Sequence, residues 1–229
     1  MYRHACESEF QIMTNRGLGN GADAIVFEAC LKGSNEEMPC HYAIRVQRKP
    51  IDWNQERWEE LVLIQNKMAN AGLAPRILDT WLCDHVHTNL SKLSDSQHTI
   101  LSTGHLKTQY KQLGPRLKKM KDKQEYIFTL MTKAPGLTLK KWLDEEKMPS
   151  AILEGVWKTI NVMHKLGIQH NDLHAGNIIV EKNGRVQIVD FDSSWDKGYT
   201  LSFEEAAQDR SFVHDDIAFS TYGNRVSNE

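Results

Sequence analysis

The sequence has little of what marks a membrane or nucleic-acid-binding protein. No apolar run in its 229 residues approaches the length of a membrane-spanning helix, and the first residues lack the pattern of a secretory leader. The formal net charge is only −2, so overall charge implies neither a nucleic acid nor a membrane surface as partner. We therefore expect a globular protein with a cytoplasmic location and no membrane partner.

Cysteine is scarce as well, and repeats are absent. The four cysteines, at positions 6, 30, 40 and 83, form no C-x-x-C pair, so we expect reduced thiols as in the cytosol. The sequence contains no internal repeat and no low-complexity stretch. Its apolar and charged fractions, 40% and 25%, are ordinary, and its length suits one large domain or two small lobes.

The most informative stretch, Gln169–Asp192, reads Q-H-N-D-L-H-A-G-N-I-I-V-E-K-N-G-R-V-Q-I-V-D-F-D. Asn177 follows Asp172 by five positions, and Asp190 follows Asn177 by thirteen. An Asn-Gly pair between short β-branched runs predicts a β-hairpin with a two-residue turn, which would return Asn177 and Asp190 to the same end. One base-like carboxylate and two oxygen ligands for Mg²⁺ are what phosphoryl transfer needs.

The N-terminal part predicts strands with a glycine-rich turn between them. Phe10–Gly21 predicts a strand that enters the turn Gly19-Asn20-Gly21, and a second strand follows. These glycines either let backbone N–H groups approach a phosphate or form an ordinary hairpin turn. Tyr42–Val46 predicts the next strand, with Arg45 at its centre. Arg45 is either a solvated residue on a half-exposed strand or a cation that holds phosphates.

A helix is predicted from about Asp52 to Gly72, because its apolar residues recur at helical spacing between a capping signal and a glycine stop. Glu60 flanks the apolar stripe of this helix. It either reaches inward towards Arg45 or belongs to a solvated acidic face.

The middle of the chain, residues 84–124, is locally basic. We interpret it either as a solvated loop with a short helix or as a docking surface for an acidic partner. Glu125–Met131 predicts a strand, followed by a linker. Three further helices are predicted, at Leu137–Asp144, from Pro149-Ser150 to Gly167, and at Phe212–Phe219.

The order of these parts over about residues 10–192 resembles the protein-kinase-like fold. The parts are a glycine-rich hairpin, a strand with a central cation, a helix with an inward acid, a linker, a long helix, H-x-D-x-x-x-x-N, a hairpin and D-F-x. The resemblance implies an α+β, two-lobed fold. Its antiparallel-sheet N-lobe would span residues 1–131, with the insertion at 84–124, and its hinge and short, mainly helical C-lobe would span 132–229.

The resemblance also implies ATP and Mg²⁺ as cofactors and gives residues their roles. Asp172 would orient the acceptor hydroxyl and accept its proton, and Asn177 and Asp190 would ligate Mg²⁺. His170 would support the loop, and Asp216 resembles an acid that braces it. The implied nucleotide-binding residues are Gly19, Gly21 and Ala24 over the phosphates, Val26 on adenine, Arg45 with Glu60 as its partner, Met131 as gatekeeper, and Thr132 to Ala134 in the hinge.

Three positions depart from the usual kinase pattern. Arg45 stands in place of a Lys, and Asp192 stands in place of the Gly of D-F-G. His174 lies two positions after Asp172, where typical serine/threonine kinases have a Lys. The stretch H-N-D-L-H-A-G-N resembles atypical kinases and choline, aminoglycoside and lipopolysaccharide sugar kinases, and the short part after Asp192 resembles Rio-type and KEOPS-complex kinases.

The resemblance implies an atypical serine/threonine kinase with a protein substrate and an activating partner protein. The alternatives are a kinase for a sugar or amino alcohol, and a pseudokinase that binds nucleotide or a partner.

Overall fold

The structure, a computed structural model, describes residues 10–20, 24–33, 40–50, 53–83, 125–145 and 150–226. The first half of the elements is β1 (Phe10–Asn20), β2 (Ala24–Leu31), β3 (Tyr42–Arg48), α1 (Gln55–Asn70), β4 (Ile77–Cys83), β5 (Tyr126–Thr132) and β6 (Leu137–Thr138). The second half is α2 (Leu139–Asp144), α3 (Ser150–Lys165), β7 (Ile168–Gln169), a 3₁₀ turn (Ala175–Asn177), β8 (Ile178–Val180), β9 (Val186–Ile188), β10 (Trp195–Asp196) and α4 (Phe203–Val226). The α+β class is confirmed.

The chain divides into two compact units. Unit 1 contains residues 1–54 and 77–133, and unit 2 contains residues 55–76 and 134–229. One boundary between the units lies between Lys133 and Ala134, and the expected hinge stays a prediction. Of the sequence-based expectations, Gly21 and the basic insertion at 84–124 lie outside the described residues.

Unit 1 is an antiparallel sheet in the order β1-β2-β3-β5-β4. Its core forms from alternate residues of neighbouring strands, as the period of two along a strand requires. Phe27, Ile44 and Phe128 are fully buried, and Trp81 stacks on Phe128 with ring centroids 5.5 Å apart. The strands predicted from the sequence are all present.

A disulfide joins Cys30, near the end of β2, to Cys40, just before β3, with Cα atoms 5.0 Å apart. Cys83, at the end of β4, is also disulfide-bonded. The prediction of reduced thiols is therefore wrong for these residues. A C-x-x-C spacing does not reveal this disulfide, because the antiparallel pairing of β2 and β3 brings its two cysteines together.

Unit 2 is built around an apolar cluster to which its helices and its small sheets all contribute. Among its fully buried members are Met68 of α1, Leu139 of α2, Val156 of α3 and Ile188 of β9. The N-lobe predicted at residues 1–131 includes α1, whereas the contacts of α1 group it with unit 2. The backbone N–H of Ile188 also donates to the carbonyl of Leu73, just after α1, at 2.8 Å.

The last helix, α4, differs most from its prediction. The predicted helix covers Phe212–Phe219, whereas α4 spans Phe203–Val226. A capping box begins it: the Ser202 N–H donates to the Glu205 carboxylate at 2.9 Å, and the Glu205 N–H donates to the Ser202 hydroxyl at 3.3 Å. The helical period was hidden because the buried acid Asp209 stands between Ala206 and Val213 on the inward face.

No helix in the described part of the chain is both long and apolar enough to cross a membrane.

Candidate functional site

The stretch around Asp172 forms a loop that leads into the β8–β9 hairpin. Ile178 pairs with Ile188 across the hairpin, and the N–H of Val189 donates to the Asn177 carbonyl at 2.9 Å. Asn177 and Asp190 therefore lie at the same end of the hairpin, and that prediction is confirmed. The turn is wider than the two residues predicted, because the Glu181 N–H still donates to the Arg185 carbonyl at 2.9 Å.

A side-chain hydrogen bond fixes the amide of Asn177 within the loop. Its Nδ2 donates to the Asp172 carbonyl at 2.9 Å, and the Asn177 side chain is buried. Because the amide nitrogen is used in this way, the amide oxygen faces a different direction. Asp172 and Asp190 are both exposed to solvent. The loop thus presents two carboxylates and one oriented amide oxygen.

Backbone strain is concentrated in the same place. Among the described residues, Asn171 and Asp190 are the non-glycine residues with positive φ, at 64° and 66°. Left-handed backbone is unfavourable for residues with a Cβ and persists where surrounding contacts impose it. Asn171 immediately precedes the candidate base Asp172, and Asp190 is itself a candidate metal ligand.

Asp209 on α4 holds the main chain at Asn171. Its Oδ2 accepts a hydrogen bond from the His170 N–H at 2.9 Å, and its Oδ1 accepts one from the Asn171 N–H at 2.8 Å. The Nε2 atom of His164 lies 3.1 Å from the same Oδ2. Burial raises the pKa of Asp209, but the hydrogen bonds from His164, His170 and Asn171 outweigh it and hold the pKa below its ordinary value.

A second acid of α4 binds the other end of the loop. The Ala175 N–H donates to Asp216 Oδ2 at 2.6 Å. This agrees with the predicted bracing position of Asp216. Asp209, the buried acid of the two, was not predicted from the sequence. Its signal was an Asp at an inward-facing helical position, three residues after Ala206 and four before Val213.

His170 is completely buried beneath the loop and has the supporting position expected for it. Its Nε2 lies 3.1 Å from the Val189 carbonyl, and its ring centroid is 5.1 Å from that of Phe191. Burial lowers the pKa of His170, against the raising effects of the Val189 carbonyl and the nearby aspartates. His170 is therefore neutral at pH 7, and its Nε2–H donates to Val189.

On α1, Glu60 binds a cation of its own helix. Arg57 Nη1 donates to the Glu60 carboxylate at 2.6 Å, and Arg57 Nη2 donates to the Ser194 carbonyl at 2.5 Å. The guanidinium also lies 4.0 Å from the ring centroid of Trp195. Farther along α1, Lys67 pairs with Asp196 at 2.7 Å. Two cations thus connect α1 to the segment that follows Asp192. The pairing of Glu60 with Arg45 stays a prediction.

Within unit 1, Arg45 is half-buried at the centre of β3, opposite Val26 on β2 and Thr129 on β5. Gly19 is exposed on β1, and a Cβ built there would meet no atom within 4 Å. Met131 is half-buried on β5. The roles of these residues, and those of Thr132 and Ala134, stay predictions.

The end of β5 is fixed by an ion-pair cluster. Lys133 pairs with the buried carboxylate of Glu28 on β2, which Arg16 of β1 also contacts at 3.3 Å. Burial raises the pKa of Glu28, but the two cations lower it below its ordinary value overall. The Lys133 N–H donates to the His41 carbonyl at 2.9 Å. The chain just after β5 is therefore fixed by both main-chain and side-chain contacts.

Comparison with known proteins matches residues 106–217, just under half of the chain, to the model of the protein kinase domain. A segment of 91 residues, 38% of the chain, is 29% identical to the serine/threonine-protein kinase PKH3 of Eremothecium gossypii and covers 12% of that protein. A segment of 55 residues, 24% of the chain, is 42% identical to the serine/threonine-protein kinase Tao of Drosophila melanogaster and covers 5% of it.

A bacterial protein is also similar. Over 50 residues, 22% of the chain, the identity to the 3-deoxy-D-manno-octulosonic acid kinase of Vibrio parahaemolyticus is 34%, and 21% of that protein is covered. The matched segments thus span about a fifth or less of these relatives.

Proposed function

We propose, from the relationship of residues 106–217 to the protein kinase domain, that the chain is an ATP- and Mg²⁺-dependent phosphotransferase. The observation that carries the proposal is the arrangement of Asp172, Asn177 and Asp190. Asn177 is bonded through its side chain to the Asp172 carbonyl and through its main chain to Val189, the neighbour of Asp190. Three groups suited to phosphoryl transfer are therefore held by one loop and one hairpin.

The donor set fits Mg²⁺. An amide oxygen from Asn177 and a carboxylate from Asp190 are hard oxygen ligands, and Mg²⁺ in phosphoryl-transfer sites takes few ligands from the protein and the rest from water and phosphate. When bound, Mg²⁺ would neutralise charge on the phosphates.

The proposed role of Asp172 is to orient the acceptor hydroxyl and accept its proton. The hydroxyl oxygen forms a bond to the γ-phosphorus, the bond from that phosphorus to the leaving oxygen breaks, and ADP leaves with the electron pair. The exposure of Asp172 supports this role, because a base must be reachable by the acceptor. Asp209 contributes by holding the main chain on the N-terminal side of Asp172. The proposed nucleotide contacts are Gly19, Gly21, Val26, Arg45, Met131, Thr132 and Ala134.

The proposed acceptor is a serine or threonine of a protein substrate. The proposed partner is a protein that activates the chain. The similarity to two serine/threonine-protein kinases supports the protein acceptor. The second candidate is a small-molecule acceptor such as a sugar. The H-N-D-L-H and D-F-D motifs and the similarity to a 3-deoxy-D-manno-octulosonic acid kinase favour that candidate. A pseudokinase, suggested by Arg45, would bind nucleotide or a partner without turnover.

The test is transfer of radiolabelled γ-phosphate with Mg²⁺, comparing wild type with Asp172→Asn. We expect the variant to lose at least about a hundredfold in rate, because the proton acceptor is gone. Asp144→Asn, at an exposed position on α2, is the matched control and should retain the wild-type rate. Equal rates in wild type and Asp172→Asn would refute the role of Asp172, and nucleotide binding without turnover would favour the pseudokinase. A screen of proteins, sugars and amino alcohols then identifies the acceptor.

The cytoplasmic location is a proposal that the Cys30–Cys40 disulfide opposes, because disulfides persist in oxidising compartments and are rare in the cytosol.

A further inference from the structure

The chain turns sharply just after the proposed metal ligand Asp190. The Ser194 N–H donates to the Phe191 carbonyl at 2.9 Å, which closes a four-residue turn. Both ends of this turn are buried, Phe191 with 2% of its surface exposed and Ser194 completely. Asp190 has a φ of 66°, a conformation that costs free energy in residues with a Cβ and persists where neighbouring contacts impose it. The contacts of the turn therefore bear on the direction of the Asp190 carboxylate.

The Ser194 end of the turn is held from two sides. On one side, the Ser194 hydroxyl donates to the His170 carbonyl at 3.3 Å, and the Asn171 side-chain amide donates to the Ser193 carbonyl at 3.0 Å. These two bonds join the turn to the loop that carries the candidate base. On the other side, Arg57 Nη2 donates to the Ser194 carbonyl at 2.5 Å. The turn is thus connected both to the loop and to α1.

The guanidinium of Arg57 is fixed by three different contacts. Besides the Ser194 carbonyl, it contacts the Glu60 carboxylate through Nη1 at 2.6 Å, and its central carbon lies 4.0 Å from the ring centroid of Trp195. A planar fork of donors satisfies two acceptors and an aromatic face at once, whereas the single nitrogen of a lysine cannot reach all three positions. Arginine is therefore specifically suited to this position.

A second cation of α1 provides a comparison. Lys67 Nζ pairs with the Asp196 carboxylate at 2.7 Å, so both cations join α1 to the chain that follows Asp190. Asp196 lies two positions beyond the turn, in β10, whereas Arg57 contacts a residue of the turn itself. Variants of the two cations can therefore separate an effect on the turn from a general effect of fastening α1 to this segment.

We propose that Arg57 is a positioning residue of the candidate phosphoryl-transfer site. By holding the Ser194 carbonyl it fixes the turn, and through the turn it fixes the direction in which the Asp190 carboxylate meets Mg²⁺. Groups that orient a metal ligand without touching the metal contribute strongly to metal affinity. The ligand role of Asp190 rests on the proposed function, whereas the hold of Arg57 on the turn does not.

The first measurement is hydrogen exchange of the full chain without metal or nucleotide, followed by mass spectrometry. Arg57→Lys keeps a positive charge beside Glu60 but loses the fork, so we expect the peptide that contains the Ser194 N–H to exchange about tenfold faster than in the wild type. Lys67→Met is the matched control and should leave the exchange of that peptide unchanged. Unchanged exchange in Arg57→Lys would overturn the proposal.

The second measurement is the binding of Mn²⁺ together with a non-hydrolysable imido analogue of ATP, followed by electron paramagnetic resonance. Mn²⁺ takes the same oxygen ligands as Mg²⁺, and no turnover is needed. We expect the Kd of Mn²⁺ to rise about tenfold in Arg57→Lys and at least as much in Asp190→Asn, and to stay within about twofold of the wild type in Lys67→Met. A merely structural contact would lower the thermal stability of both cation variants without this difference in Kd.

Two results of the metal titration overturn the proposal and leave the proposed function intact. One is an unchanged Kd in Arg57→Lys beside a raised Kd in Asp190→Asn. The other is an equal rise in Arg57→Lys and Lys67→Met, because the effect would then come from α1 as a whole. Absence of Mn²⁺ binding by the wild type would overturn the proposed function and the role of Arg57 towards the metal, and hydrogen exchange would still show whether Arg57 holds the turn.

Discussion

One carboxylate oxygen of Asp209 accepts a hydrogen bond from the backbone N–H of His170 at 2.9 Å, between residues 39 positions apart in the chain. The other oxygen accepts from the Asn171 N–H. A single buried charge on α4 therefore fixes the main chain immediately before Asp172.

Asp209→Asn should lower both stability and activity. The amide would bring two N–H donors to a place where three donors already converge, so we expect the free energy of unfolding to fall by about 3 kcal/mol. Asp215→Asn, whose side chain is exposed on the same helix, should change it by less than about 0.5 kcal/mol. Urea unfolding of both variants is the measurement, and equal losses would contradict the bracing role.

The stability of the protein should fall as the pH falls below about 6.5, the ordinary pKa of histidine. Burial lowers the pKa of His170, so the unfolded chain takes up a proton before the folded one does. Unfolding is then favoured by about 1.4 kcal/mol per pH unit until His170 is protonated in the folded state too. We expect the free energy of unfolding, measured in urea between pH 7 and pH 5, to depend less steeply on pH in His170→Gln than in the wild type. His214→Gln, at an exposed position, should retain the wild-type pH dependence.

Gly136→Ala should be more costly than Gly184→Ala, although both glycines have positive φ. A Cβ at Gly136 would lie 2.7 Å from the Val180 carbonyl carbon, whereas one at Gly184 would meet nothing within 4 Å. We expect losses of about 1 kcal/mol at Gly184, from the backbone conformation alone, and about 3 kcal/mol at Gly136, from conformation and overlap together. Similar thermal unfolding of the two variants would mean that β8 moves freely away from Gly136.

The double variant Cys30→Ser, Cys40→Ser should lose about 3 kcal/mol of stability under non-reducing conditions, because the disulfide closes a short loop and restricts the unfolded chain. Non-reducing peptide mass spectrometry of the wild type should find the two cysteines linked. Thiol labelling of Cys30 and Cys40 in the untreated native protein would contradict the disulfide and would restore the expectation of a reducing compartment.

Arg45→Ala should weaken nucleotide binding, whereas Arg45→Lys should preserve it or raise activity, since the charge is kept. The expected loss for the alanine variant is about tenfold or more in Kd, as for a charge-assisted contact. Arg48→Ala, on the same strand, is the matched control, and isothermal titration with Mg²⁺–ATP is the measurement. Equal loss in both Arg45 variants would show that the guanidinium geometry is needed, and no loss in either would remove Arg45 from the site.

The parts of the site that sequence predicted correctly depend on neighbouring residues. The hairpin that returns Asp190 to Asn177 follows from β-branched runs on either side of Asn183-Gly184, and the strands of unit 1 follow from apolar alternation. The missed contact joins distant parts of the chain. Asp209 acts on residues that are 38 and 39 positions away, and no local pattern encodes this relationship. The pair of Arg57 and Glu60 is local, because the two residues are three positions apart on α1.

The register of the β8–β9 pairing sets the separation of the two proposed metal ligands, Asn177 and Asp190. Their separation depends on which residues pair across the hairpin and not on the number of residues in its turn. Residues inserted beside Asn183, beyond the last hydrogen bond between Glu181 and Arg185, would leave that separation unchanged. Removing one residue from either strand would instead turn its following side chain to the opposite face. The hairpin tip is therefore a suitable place to attach a fluorophore or an epitope while the ligand spacing is kept.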